Sequence, residues 1–289
     1  MTTFFEDGPA LTSTGTGARS SRAKSPSAAA RKALNASAVL WLIVAVLGQL
    51  MFAYYIVVFY GGSALQGDFA AWKKVLPVGI VNGDTVGNAI LAGHILLAAI
   101  ITIGGPLQLT PQIRARVPTF HRWNGRVYLV TAVVAALTGL YMVWSRPGVV
   151  GDVVQHLGTS LNAILILLCA AMALRYARAR DFVTHRRWAL RLFLVVSGVW
   201  FFRVGLLLWL IINKGPAGFD MKTFEGPFLS FLTFAQTLLP LLVLEMYFRA
   251  QDRAGTSGRY AMAALLFVLT LAMGVGIFGA TMGMWLPRV

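Results

Sequence analysis

The sequence predicts an all-α, polytopic integral membrane protein with about seven transmembrane helices around a central four-helix bundle. Three observations predict it. The chain is 57% hydrophobic and only 12% charged, a balance that suits lipid better than water. Seven apolar stretches are close to the twenty or so residues that a helix needs to cross a bilayer. The basic residues sit in short runs between those stretches, so the net charge of +15 reads as membrane topology and not as a nucleic-acid surface.

Residues 1–33, rich in Ser, Thr, Ala and Gly and without an apolar period, are expected to form a disordered basic tail beside an anionic leaflet. Residues 34–289 are then one transmembrane domain. Its first span is placed at 38–60, too long for a signal peptide and without a small-residue cleavage site, so it is read as a retained anchor. The connection 61–84 carries Pro77, Gly79 and Gly83 and is too short for a soluble domain. The second to fifth spans follow at 86–109, 127–144, 153–174 and 188–212, and form the central bundle. Spans six and seven are placed at 228–248 and 260–285. In each, a helix is required because lipid offers no partner to an open backbone group. Gly279 and Gly283 give the last span a small-residue face for close packing. Trp144, Trp188 and Trp285 fall near span ends, where amphipathic rings anchor helices.

Orientation follows from the cations. Of the 25 lysines and arginines, 18 fall on one set of alternate connections and 6 on the other, while Arg203 lies inside a span. The richer side is read as cytoplasmic. The expected location is the cell inner (plasma) membrane, with the amino terminus in the cytoplasm and the carboxyl terminus outside.

Four histidines and two intramembrane charges carry the candidate chemistry. His94 and His156 are placed near the outer face, on spans two and four. His121 and His185 are placed just before spans three and five, at the inner face. His94 and His121 are 27 residues apart and His156 and His185 are 29, and the inner members sit in similar strings, His121-Arg122-Trp123 and His185-Arg186-Arg187-Trp188. A weak helix-hairpin repeat results. Stacked in a four-helix bundle, such pairs suit bis-histidine haem b, because neutral imidazoles donate to iron from both sides of the porphyrin. Arg122, Arg126, Arg186 and Arg187 are available to propionates inside, and Arg203, about 24 Å along the helix from Arg187, approaches the outer level.

Plainer roles are weighed beside these. His121 and His185 can be solvated or touch lipid phosphate, His94 can serve an interhelical hydrogen bond, and Gln155, Thr159, Ser160 and Asn162 around His156 suggest a hydrated entrance. Arg203 and Glu245 can snorkel to opposite surfaces, or act within the membrane. The lone Cys169 excludes an intrachain disulfide and a thiolate cluster. No phosphate-binding Gly-Lys-Ser/Thr loop, His-Glu-x-x-His or Gly-x-Ser-x-Gly string occurs, so the corresponding ATPase, metalloprotease and hydrolase chemistries are not supported.

The strings Gly93-His94, Gly105-Pro106-Leu107-Gln108, His121-Arg122, Gly125-Arg126-Val127-Tyr128, Arg180-Asp181, His185-Arg186-Arg187-Trp188 and Arg203 carry a resemblance. The stretch from Gly93 to Arg203 resembles a family of predicted bacterial membrane proteins known as domain of unknown function 2306. The resemblance implies that His94, His121, His185 and Arg203 belong to the family pattern, whereas the His156 position is usually apolar or aromatic there. In architecture alone, the chain is similar to di-haem b-type cytochromes, which pair histidines of spans two with four and three with five.

The leading expectation is a b-type cytochrome-like transmembrane electron carrier. His121 and His185 would hold an inner haem, and His94 with His156 an outer one. Arg126 and Arg203 would tune potential, and a quinone or redox protein would be the partner beside membrane lipid. The alternative is a non-redox transporter or a lipid-binding or assembly factor, with His94, Arg203 and Glu245 lining a polar cavity. No reaction is assigned.

Overall fold

The structure, a computed structural model, describes residues 27–76, 79–146 and 149–289. Among them there is no strand. Six helices are long and apolar enough to cross a membrane: Ala28–Leu65, Thr85–Leu109, Pro118–Ser145, Val153–Arg178, Pro227–Arg253 and Thr256–Arg288. A further span is formed by two shorter helices, Phe182–Val196 and Gly198–Asn213, bent by 53° at their junction. In chain order this broken span is the fifth of seven.

Helix ends follow local chemistry. The first helix starts at Ala28, where the Ser27 side chain accepts from the Ala30 backbone N–H. Residues 28–33, assigned above to the tail, are therefore helical, and the remainder of that tail lies outside the described residues. Asp84, Asp152 and Asp181 cap the second, fourth and fifth spans by accepting from Gly87, Gln155 and Thr184 N–H groups. The third span begins at Pro118, not near residue 127, because proline fits the first helical turn. His121, Arg122 and Arg126 thus belong to the helix itself.

The second span packs on the third, the third on the fourth, and the fourth on the first half of the fifth. Past the bend, the second half of the fifth packs on the sixth and seventh spans, and the seventh closes on the first. The fifth span contacts the fourth, sixth and seventh, and buries Leu192, Phe193, Leu194, Val195, Trp200, Val204 and Leu206. Glycines let the seventh span approach it. A side chain at Gly276 would collide with the Val204 carbonyl, and one at Gly279 would meet Ile211 at 2.6 Å. The small-residue face at Gly279 and Gly283 is therefore internal packing.

The bend is held by polar groups from three other spans. Asn162 of the fourth donates through Nδ2 to the Val195 carbonyl at 2.8 Å and to Thr237 Oγ1 of the sixth at 2.7 Å. Gln49 of the first donates to Ser197 Oγ at 2.9 Å, and that hydroxyl donates to the Phe193 carbonyl at 2.7 Å. All of these groups are buried. Asn162 is thus a packing residue, not part of a hydrated entrance, and Gln155 is likewise buried against the Phe224 carbonyl.

At the end opposite the basic connections, Arg146 is buried. It donates to the Gly79 carbonyl at 2.6 Å and Asn88 Oδ1 at 2.9 Å, and pairs with Asp84 at 3.6 Å. It fastens the third span to the entry of the second. Nearby, Trp72 from the 61–84 connection is buried against Tyr60, so this connection lies on the bundle.

Replacing Asn162 by Ala should leave the Val195 carbonyl and Thr237 unpartnered in a medium without water, costing about 1–3 kcal/mol. Thermal unfolding in detergent should show a clear loss for Asn162→Ala and little change for Thr159→Ala, whose hydroxyl bonds only the Gln155 carbonyl of its own helix.

Candidate functional site

Between the spans lies a cavity of about 1710 Å³. That exceeds the roughly 300–1,000 Å³ of common small-molecule clefts. Its walls divide by chemistry. Most of its length is apolar, contributed by residues such as Trp41, Phe193, Phe201, Leu208, Phe231 and Leu269 from the first, fifth, sixth and seventh spans. Gln236 is a polar interruption, with a buried and unpartnered Oε1. The end formed by the second-to-third and fourth-to-fifth connections is basic. Arg114, Arg122, Arg126, Arg178, Arg180 and Arg186 line it, together with His121 and His185, and among the described residues no Asp or Glu lines the cavity.

The helical repeat explains part of this rim. Pro118, His121, Arg122, Gly125 and Arg126 follow three- and four-residue spacing, so the third span turns one face toward the cavity. Arg126 lies over the Trp123 ring at 4.8 Å, which holds its guanidinium near the helix surface. Arg180 ends the fourth span in a left-handed conformation, φ 59°. The Asp181 N–H bonds back to the Tyr176 carbonyl across that turn.

The inner histidines share the cavity but differ in hydrogen bonding. His185 Nδ1 lies 2.9 Å from the Ala173 carbonyl, which makes Nδ1 the donor and leaves Nε2 with a lone pair. His121 Nε2 faces Gln108 Nε2 at 3.4 Å, and its Nδ1 is buried without a partner. Gln108 is fixed in turn, donating to the His121 carbonyl at 3.1 Å and accepting from Asn124, which also donates to the Gly104 carbonyl.

The outer histidines do not line this cavity. His94 Nδ1 bonds Thr138 Oγ1 at 2.9 Å. The Thr138 hydroxyl donates to backbone carbonyls, so the imidazole is the donor, an interhelical bond. His156 packs edge-on against Trp144 at 5.8 Å, with Nε2 buried and unpartnered. Thr138 and Trp144 are six residues apart on one helix, about 9 Å in rise. The expected common level of His94 and His156 is thus replaced by two levels on the third span.

The intramembrane charges have local partners. Arg203 lies over the Phe52 ring at 5.2 Å and donates to the Val199 carbonyl of its own helix. Glu245 accepts from Arg191 at 2.6 and 2.7 Å. Neither they nor His94 line the central cavity, so the polar cavity expected from that trio is replaced by one with different walls. Among the described residues, no group of three His, Cys, Asp or Glu side chains could hold a metal ion.

Gln108, Arg114, Arg178, Arg180 and Gln236 line the cavity without a sequence signal that marks them as site candidates. The spacing of Arg122 and Arg126 was a usable signal, but the connections that supply Arg114 and Arg180 have no readable period.

Residues 91–223 match the model of a family described as Predicted membrane protein (DUF2306). The match spans the second to fifth spans, including all four histidines and the basic rim, and leaves out spans one, six and seven. No curated protein and no solved structure matches the chain.

Cavity access is testable with one added thiol. Native Cys169 is buried at 2% exposure and should react slowly with a small methanethiosulfonate. A cysteine replacing Ala189, on the cavity wall, should react at least about tenfold faster. Equal rates would mean that the space is closed.

Proposed function

We propose that this membrane protein binds an amphipathic molecule in its central cavity, as a lipid-binding or lipid-transporting factor of the bacterial inner membrane. The observation that carries this reading is the cavity's polarity. An apolar chamber of about 1710 Å³ ends in a rim of six arginines and two histidines. A ligand matching both regions has a long apolar body and one polar end. The excess of cations at the rim supports a cytoplasmic position for that end, and an odd number of spans, seven, then directs the carboxyl terminus outward.

A second reading is favoured by a specific contact. The Ala173 carbonyl holds His185 Nδ1 as a donor, leaving Nε2 available, the arrangement that orients metal-bound imidazoles. His121 and His185 would supply two nitrogens to a haem b, with Arg122, Arg126 and Arg186 beside its propionates. Haem would add one-electron chemistry, and quinone or a redox protein would then be the exchange partner. His121 fits less well, since its Nε2 faces Gln108. No such pair is assembled for His94 and His156, so an outer haem has less support than an inner one.

The experiment that separates the readings is ligand release from protein purified in a neutral detergent. Organic extraction and mass spectrometry should recover about one amphiphile per chain, lost when Ala235 and Leu232 on the cavity wall are replaced by Trp. Wild-type protein carrying no amphiphile would overturn the first reading. A reduced-minus-oxidised haem spectrum, abolished by His121→Ala and by His185→Ala, would replace it with the second.

Orientation has its own test. An alkaline phosphatase fused after Val289 should be active, and activity of a cytoplasmic reporter at that position would reverse the assignment.

A further inference from the structure

Within the reading that the cavity holds an amphiphile, we propose that the ligand's apolar body carries a hydroxyl partway along its length, and that Gln236 Oε1 accepts a hydrogen bond from it. Gln236 belongs to the sixth span, is 8% exposed and lines the cavity. Its Oε1 has no partner among the described residues. The wall beside it is apolar, with Leu232, Ala235, Leu239 and Pro240 of the same span lining the cavity. An amide oxygen left unmet in such a setting is costly, and a donor on the molecule that fills the space removes that cost.

Helix packing does not account for this amide. Among the described residues four side-chain amides are buried, those of Gln49, Gln155, Asn162 and Gln236. Three of them donate to a different segment: Gln49 to Ser197, Gln155 to the Phe224 carbonyl, and Asn162 to the Val195 carbonyl and Thr237. Gln236 instead donates through Nε2 to the Thr233 carbonyl of its own helix, at 2.9 Å. It ties no two spans together. That bond also fixes which way the amide faces, because a reversed amide would set two acceptor oxygens against each other.

Pro240 adds a second observation at the same level. It lies inside the helix and lacks the N–H that a regular helix would direct at the Gln236 carbonyl. Both residues are on the cavity wall, so the interrupted rung of the helix lies on that face. The level is also well away from the ends of the lining. Phe228 and Tyr247 line the cavity eight and eleven residues along the same helix, about 12 and 16 Å away at helical rise. The donor that meets Gln236 therefore belongs to the apolar body and not to the polar end. A hydroxyl suits the position, since it supplies one donor without bringing a charge into an apolar chamber.

The test compares two ligands that differ by that one group. Full-length protein in neutral detergent is titrated with the glycerol monoesters of ricinoleic and oleic acid, which share a neutral head and a chain length and differ by a mid-chain hydroxyl. The uncharged head keeps the basic rim out of the comparison. Binding is followed by tryptophan fluorescence, since Trp41 and Trp209 line the cavity. The hydroxylated ester should bind about fivefold to tenfold more tightly, the ratio expected for one net hydrogen bond. Gln236→Met and Gln236→Leu, which remove the acceptor, should abolish that preference while leaving binding of the oleic ester unchanged or tighter, and this retained binding reports an intact cavity. Pro240→Ala, which restores the backbone donor and keeps Oε1, should retain the preference. Equal binding of the two esters by the wild-type protein would overturn this inference and leave the amphiphile reading standing, as would a preference that survives loss of the Gln236 amide. A preference abolished by Pro240→Ala would move the acceptor to the backbone and overturn the assignment to Oε1. Binding of neither ester would overturn both readings.

Discussion

The fold depends on satisfying a broken helix where no water is available. At Ser197 the fifth span turns by 53°, and a bend of that size disturbs the regular backbone ladder inside an apolar medium. Asn162, Gln49, Thr237 and the Ser197 hydroxyl supply partners from four spans. These contacts join the first, fourth, fifth and sixth helices at one point. The bend also directs the fifth span from the fourth helix toward the seventh, and residues of both its halves line the cavity. Fold and site therefore share the same interaction.

Hydropathy made the spans legible, because a bilayer demands length and apolarity of each helix independently of its neighbours. Where helices run into polar sequence, that signal faded. The first turns of the third span read as a connection, since His121, Arg122 and Arg126 are polar, yet they are helical and face a cavity. The bend at Ser197 is marked in the sequence only by the Ser197-Gly198 pair, a weak signal inside a run from Leu192 to Leu208 that is mostly apolar. The polar groups that meet it lie on other helices. Asn162 and Gln49 are far from Ser197 in sequence, and only the packed bundle brings them together.

The site was legible in its basic half alone. The inner histidines and Arg126 were singled out, and they meet at one cavity. The apolar half was hidden because a lining leucine and a lipid-facing leucine are alike in sequence. The outer pair illustrates a different gap. His94 and His156 sit at comparable depths by residue count, but the third span meets them at Thr138 and Trp144, about 9 Å apart along its axis. Helix tilt and stagger, which sequence does not display, separate them.

The lipid and haem readings overlap more than their names suggest. Haem b is itself an acidic amphiphile, with two carboxylates and a broad apolar body, so the arginine rim and the apolar walls would serve either ligand. What differs is the use of two imidazoles. His185 is already oriented by the Ala173 carbonyl, whereas His121 Nε2 is faced by Gln108, whose position is fixed by His121's own carbonyl and by Asn124. Ligation of iron through Nε2 of His121 would require this network to open, leaving the Gln108 amide to find another partner in a part-buried setting. An amphiphile held by the apolar walls, as proposed, would leave the Gln108–Asn124 contact in place. On these contacts Gln108 is the residue whose position separates the two proposed readings.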